Sequence, residues 1–135
     1  MSLASVQEAL QGAVIAALAG IPTEYENAVF TKPTNSKWAR LWFIPNQPVP
    51  NTLGTSGEDE ATGILQIDLN YPRNTGTRES IADFEEIRAA FPAGNAYTRD
   101  GQTVQALNCG RSQGRLVDNW YRVSITISWW ALIPR

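Results

Sequence analysis

The run Trp120-Tyr121-Arg122-Val123-Ser124-Ile125-Thr126-Ile127-Ser128-Trp129-Trp130-Ala131-Leu132-Ile133-Pro134 decides the fold. Tyr121, Val123, Ile125, Ile127 and Trp129 fall on one side of a two-residue alternation, and Arg122, Ser124, Thr126 and Ser128 on the other. A period of two places successive side chains on opposite faces of a strand, so this stretch reads as a long β-strand with one face in the core. The same pattern recurs after Gly63, where Leu65, Ile67, Leu69 and Tyr71 alternate with Gln66, Asp68 and Asn70. Two such strands present flat, hydrated faces rather than a pocket of reactive groups, which directs attention to surfaces and assembly.

Outward from these strands, Ser2 to Leu18 reads as a helix, because Leu3, Val6, Leu10, Ala13, Val14, Ala17 and Leu18 recur at three- and four-residue spacing. Ser2 is a candidate N-cap, Ser5 and Glu8 have capping-box spacing one turn later, and Gly20 with Pro22 stops the helix. Tyr25 to Phe30 and Trp38 to Ile44 read as strands, paired as a hairpin or lying as neighbours across the turn Pro33 to Ser36. Asn46 to Thr62 lacks periodicity and carries three turn-forming clusters, so it reads as one long connection. After the turn Pro72 to Gly76, Thr77 to Ala90 reads as a second helix with Ile81, Phe84, Ile87 and Phe91 on its apolar stripe. Thr103 to Asn108 and Asn119 to Leu132 are the last two strands, joined by the polar loop Cys109 to Asp118. No βαβ spacing is regular enough for a doubly wound parallel sheet. The expectation is a single α+β domain over residues 1–135: two layers, a mainly antiparallel sheet with both helices packed on one face, and a polar second face.

Composition bounds the chemistry. The chain has 135 residues, enough to bury roughly two thirds of its unfolded surface around one core. It contains no histidine and one cysteine, Cys109, which rules out an intrachain disulfide, a Cys/His zinc site and a histidine-based triad. A net charge of -2 and a pI near 5.1 argue against broad attraction to nucleic acid. The N-terminal apolar stretch is interrupted by Gln7, Glu8 and Gln11 and reads as neither a signal peptide nor a membrane span.

The candidate chemical groups have bland readings. Glu58, Asp59 and Glu60 have no EF-hand spacing and read as the solvated tip of the long loop or an intersubunit salt-bridge patch. Asp83, Glu85 and Glu86 read as a solvated helix face. Gly110 to Arg115 has no phosphate-loop spacing and reads as a flexible loop offering Arg111 and Arg115 to a partner. Cys109 reads as a structural thiol. Trp129 and Trp130 point to opposite sides of the last strand, leaving Trp130 on the polar face as an aromatic anchor, while Trp38, Arg40 and Trp42 share one side of their strand.

Several runs taken together, the Met1-Ser2-Leu3-Ala4 opening, Tyr25 to Phe30, Gly63 to Asp68 continuing through Tyr71-Pro72 to Gly76, Phe91-Pro92-Ala93-Gly94 and Trp129-Trp130-Ala131, resemble small tail-completion proteins of long-tailed bacteriophages. More narrowly, the chain is similar to the tail terminators of lambda-like phages. The resemblance implies an α+β subunit, made in the host cytoplasm, that forms a hexameric ring in the virion at the head-tail junction. The ring ends tube polymerisation and meets the major tail tube protein on one side and a head-completion or neck protein on the other. It implies no catalysis, no cofactor, no metal, no membrane and no sequence-specific nucleic acid binding. The family carries no short functional motif, so the candidate contact residues come from this sequence alone: Trp38, Arg40, Trp42, Glu58, Asp59, Glu60, Arg111, Arg115 and Trp130. A head-tail connector, neck or minor tail protein is the nearest rival reading, and a monomeric module stacking ligands on exposed aromatics is a more distant one.

Overall fold

The alternation at Trp120–Pro134 becomes the strand around which the sheet is organised. In the computed structural model, which describes residues 2–135, the elements run α1 (Leu3–Ala17), β1 (Thr23–Glu24), β2 (Trp38–Pro45), β3 (Val49–Pro50), β4 (Glu58–Pro72), α2 (Arg78–Ala90), β5 (Ala96–Arg99), β6 (Gln102–Arg111), β7 (Arg115–Val117) and β8 (Trp120–Pro134). The strands form one eight-stranded sheet in the order β1-β2-β4-β8-β6-β5, with β3 added to β4 and β7 to β8. Every pairing is antiparallel except β1 with β2. β4 and β8 pair from Glu58↔Pro134 to Pro72↔Trp120, a ribbon about 45 Å in contour length.

Both helices cover the face defined by Tyr121, Ile125, Ile127 and Trp129, giving the α+β, two-layer arrangement that the alternation implies. Val6, Leu10 and Val14 of α1 share one buried cluster with Leu65, Ile67, Leu69 and Ile125 of the sheet, which Ile87 of α2 and Phe91 just beyond it also enter. Each such side chain contributes roughly 1.5–3 kcal/mol by leaving water. The Ser2 hydroxyl accepts from the Ser5 amide at 3.2 Å and so caps α1. Gly63 sits where Trp129 and β2 crowd the sheet: a Cβ there would lie 2.6 Å from the Ile44 carbonyl oxygen and 2.7 Å from Trp129 Cζ2.

Four features depart from the sequence reading. Residues 25–30 form turns rather than a strand, with Asn27 at φ 53°, and the short β1 that precedes them runs parallel to β2, so there is no hairpin here. Phe30 is used instead as a lid, tilted against Trp38 with ring centroids 5.6 Å apart. The long connection is also half strand: β3 and the first residues of β4 make a hairpin, which puts Glu58, Asp59 and Glu60 within the sheet and leaves the loop tip to Asn51 to Gly57. The loop expected from Cys109 to Asp118 is shortened from both sides by β6 and β7, and β5 is a strand too brief for its pattern to show. Finally, Ile81 is half exposed, and Asp83 takes a place facing the sheet, where it accepts from Tyr71 Oη at 2.8 Å and pairs with Lys37 Nζ at 3.1 Å.

Candidate functional site

The face of the sheet away from the helices carries the features that demand a functional explanation. It divides into two parts. Near the Pro72 and Trp120 ends of β4 and β8 it is covered, and polar groups lie buried there: Asp68 is 4% exposed and Asn70 is fully buried. Asp68 is held by three donors, Trp42 Nε1 at 3.1 Å, Gln66 Nε2 at 3.0 Å and Ser124 Oγ at 2.7 Å. Arg115 donates to Ser124 Oγ at 3.1 Å and Arg122 to Asn70 Oδ1 at 2.8 Å, extending the network across four strands, β2, β4, β8 and β7. A buried carboxylate is tolerated only when its lone pairs are filled in this way. Sequence alternation marks Asp68 and Asn70 as facing away from the helices, but gives no sign that this part of the face is covered.

Trp38 is 1% exposed and lies within this covered region, edge-on to Trp120 at 5.9 Å, with the Arg40 guanidinium 5.4 Å from its ring. It is an internal residue of the subunit and cannot serve as an exposed anchor. Arg40 is fixed by Glu24 at 2.5 Å and also stands over Trp42. Trp42 is half-buried, locked by Asp68 on one atom and by Arg40 over its ring, so its remaining exposed edge has little rotamer freedom left to lose on contact.

The other part of the face is open. Ile44, Ile64, Trp130 and Leu132 share it, the last two lining a shallow hollow of about 280 Å³ with Glu58, Gln102 and Thr103. Trp129 is fully buried on the helix side, so the Trp129-Trp130 pair divides between core and surface as the alternation requires.

Arg111 and Arg115, adjacent in sequence reasoning, are separated by the sheet. Arg111 pairs with Ile125 after a bulge at Leu107 and lies on the helix side, 5.9 Å from the Phe84 ring. Arg115 pairs with Arg122 on the opposite side. Asp59 is bound by Arg135, whose guanidinium also takes backbone carbonyls of Thr52, Gly54 and Glu58, so the hairpin tip is tied to the end of β8. The Glu58 and Glu60 carboxylates have no cation within 4.0 Å among the described residues.

Charge is distributed unevenly along the ribbon. Of the eleven lysines and arginines, Lys37, Arg40, Arg88, Arg99 and Arg135 have carboxylate partners. Of the six others, Arg73, Arg115 and Arg122 lie at the Pro72 and Trp120 end, where Asp118 and Glu79 also stand, and Arg111 lies nearer the middle of the ribbon, opposite Ile125. Among the described residues, Lys32, Arg73, Arg111, Arg115 and Arg122 contact aromatic rings, Asn side chains and serine oxygens. The opposite end carries Glu58, Glu60 and, in the turn beside Gln102, Asp100, together with Arg99 and Arg135.

Cys109 is half-buried, burial pushes its thiol pKa up, and a raised thiol is a poor nucleophile. No group of three or more Cys, Asp or Glu side chains is placed to hold a metal among the described residues, and no helix is long and apolar enough to cross a membrane.

The structure is thus a mainly antiparallel sheet backed by two helices, with an open aromatic patch on its other face. A family model described as phage tail terminator protein matches residues 5–129, and the chain belongs to that family. It is therefore a structural protein of the bacteriophage tail, and so of the virion. One solved structure, of a protein whose designation states no function, is 19% identical, superposes with a TM-score of 0.73, and covers 93% of this chain and 94% of its own. That likeness concerns the fold. A comparison with curated proteins finds no match.

Proposed function

We propose that this subunit closes into a ring, hexameric in the form the lambda-like terminators suggest, which caps the tail tube, stops its polymerisation and offers its far side to the head. The observation that carries the reading is the family match over nearly the whole chain, joined to a surface that offers contacts and no chemistry. Its partners are copies of itself, the major tail tube protein, and a head-completion or neck protein at the head-tail junction, after synthesis in the host cytoplasm. No cofactor, membrane or nucleic acid sequence enters the scheme, and the subunit acts without catalysis.

The contact residues that fit this role are Trp42, Arg40 and Trp130 on the helix-free face, Glu58 and Glu60 at one end of the ribbon, Arg115 at the other and Arg111 nearer the middle. A ring needs a head-to-tail interface whose rotation closes, so two different patches of each subunit must be complementary. Light scattering over a concentration series, with and without Mg²⁺, followed by negative-stain imaging of the heaviest fraction and of tail tubes mixed with the protein, tests the reading. Closed rings of about six subunits seated on tube ends support it. A protein that binds the neck and leaves tube ends growing would make it a connector instead.

A further inference from the structure

The Arg135 guanidinium is fully engaged inside the subunit. Its Nε donates to the Gly54 carbonyl at 3.1 Å, Nη1 to the Glu58 carbonyl at 3.1 Å and to Asp59 Oδ1 at 2.5 Å, and Nη2 to the Gly54 carbonyl at 2.7 Å and to that of Thr52. These five bonds equal the number of N–H donors a guanidinium possesses. Arg115, by contrast, makes two hydrogen bonds, and Arg73 and Arg122 make one each. The acceptors all come from residues 52–59, and that segment is cross-tied: the Gly57 amide donates to the Gly54 carbonyl at 3.2 Å and the Glu58 amide to Thr52 Oγ1 at 2.8 Å. Room is left for the guanidinium as well. A Cβ on Gly57 would run into Arg135 Nη2 and lie 2.5 Å from Thr52 Oγ1 and 2.9 Å from the Thr52 carbonyl oxygen. Gly57 has no positive φ, so glycine serves here for space rather than for backbone conformation.

We propose that the tip of the β3–β4 hairpin is a guanidinium-binding site, filled in this structure by the chain's own Arg135, and that its occupancy decides whether the tip holds one conformation. Charge alone does not account for the arrangement, since Asp59 takes one of the five bonds and carbonyl oxygens take the rest. An ammonium has three donors and no flat fork, so these acceptors select a guanidinium by shape as well as by charge. With the site empty, the tip keeps the Asn51 and Thr52 amides on the Glu58 carbonyl, the Gly57 amide on that of Gly54 and the Glu58 amide on Thr52 Oγ1, few ties for an exposed loop. With the site filled, Leu53, 93% exposed on the tip, rides on an ordered loop and meets a partner with less conformational entropy to lose. The biological use of the site rests on the tube-capping reading, in which the filled form is the one competent to cap.

Hydrogen exchange at the Asn51, Thr52 and Gly57 amides, read by NMR on the isolated subunit, tests the site. Arg135→Ala is expected to speed exchange there about tenfold or more, while the Ile125 and Ile127 amides stay protected and report an intact sheet. Arg135→Lys keeps the charge and loses the fork, and should speed the three amides nearly as much. Gly57→Ala should do the same, because its Cβ takes the guanidinium's place. Methylguanidinium at about 20 mM, above the millimolar effective concentration of a tethered group, should slow the three amides again in Arg135→Ala. Methylammonium at the same concentration should not, and neither salt should restore Gly57→Ala. Equal exchange in wild type and Arg135→Ala, or equal recovery with the two cations, overturns the site. On tail tubes, Arg135→Ala is expected to lose capping and regain it with methylguanidinium; capping that the substitution leaves unchanged overturns the role given to occupancy. Wild-type protein that leaves tube ends growing removes the capping reading instead, and the exchange results, obtained without tubes, decide the site by themselves.

Discussion

Trp42 on β2 and Asp68 on β4 stand diagonally across one strand pairing, with the indole Nε1 donating to Oδ2 at 3.1 Å. The bond joins a buried carboxylate to a half-exposed aromatic, so the interior polar network and the open surface are one mechanical unit.

Replacing Asp68 by Ala strands three donors around a buried site. Asp68→Ala is expected to lower unfolding free energy by about 3 kcal/mol, the usual scale for removing one partner of a buried charged network. Urea unfolding measures the loss, and the Trp42 emission should broaden as its ring becomes free to turn. An unfolding midpoint equal to that of wild type would show that the network contributes nothing.

Tyr71 responds to alkali. Burial first, and then its bond to Asp83, raise its hydroxyl pKa in the folded chain. An unfolded tyrosine ionises near pH 10, so the stabilisation is complete below about that pH. As pH climbs further, the unfolded state sheds a proton that the folded state keeps, and stability falls by about 1.4 kcal/mol per pH unit from this residue. Tyr71→Phe should cost about 1 kcal/mol at neutral pH and flatten the alkaline decline, as followed by urea midpoints between roughly pH 9 and 11.

Gly63 marks a point where nothing larger fits. The atoms a Cβ would meet include backbone of Ile44 and Pro45, which cannot turn aside as a side chain can. Gly63→Ala is expected to cost about 2 kcal/mol or more, seen as a lower thermal midpoint. An unchanged midpoint would mean that β2 shifts freely at Pro45.

Neighbouring acids on one strand should behave differently. Asp59→Asn cuts the tie to Arg135 and is expected to speed amide hydrogen exchange in residues 51–57, with global stability moved by less than about 1 kcal/mol. Glu58→Gln, which loses no ion pair, should leave exchange in that loop as it is.

Trp130→Ala tests the open face. The ring is half-exposed beside Leu132, so the fold should survive with a stability change of about 1 kcal/mol, while self-association weakens. Matched circular dichroism with undiminished light scattering would place the subunit contact elsewhere.

How much of this the sequence carried depended on where the determining contacts lie. α1, α2, β4's core half and β8 announce themselves because each buries one stripe at its own period, and Ser2 stands at the cap position of α1 as expected. The acidic residues 58–60 look like loop because Pro, Gly and charge surround them, yet they are strand because Leu132 to Pro134 lie alongside to pair with them. Conversely, Tyr25 to Phe30 has strand-like side chains whose apolar surface is spent by Phe30 closing over Trp38. The Asp68 network and the clustering of unpaired arginines at one end belong to strands distant in sequence, and only register brings them together.

The strand that completes the sheet follows all the others in sequence. β8 lies between β4 and β6, and no earlier strand can take its place in the pairing order. Until β8 has emerged from the ribosome, both neighbours therefore display an unmatched row of amides and carbonyls, and the long-range closure of Glu58 with Pro134 follows every other pairing. Nascent chains emerging side by side from one messenger would be most vulnerable to wrong pairing during that interval, which makes the rate at which the β8 codons are read a variable in how many chains fold correctly.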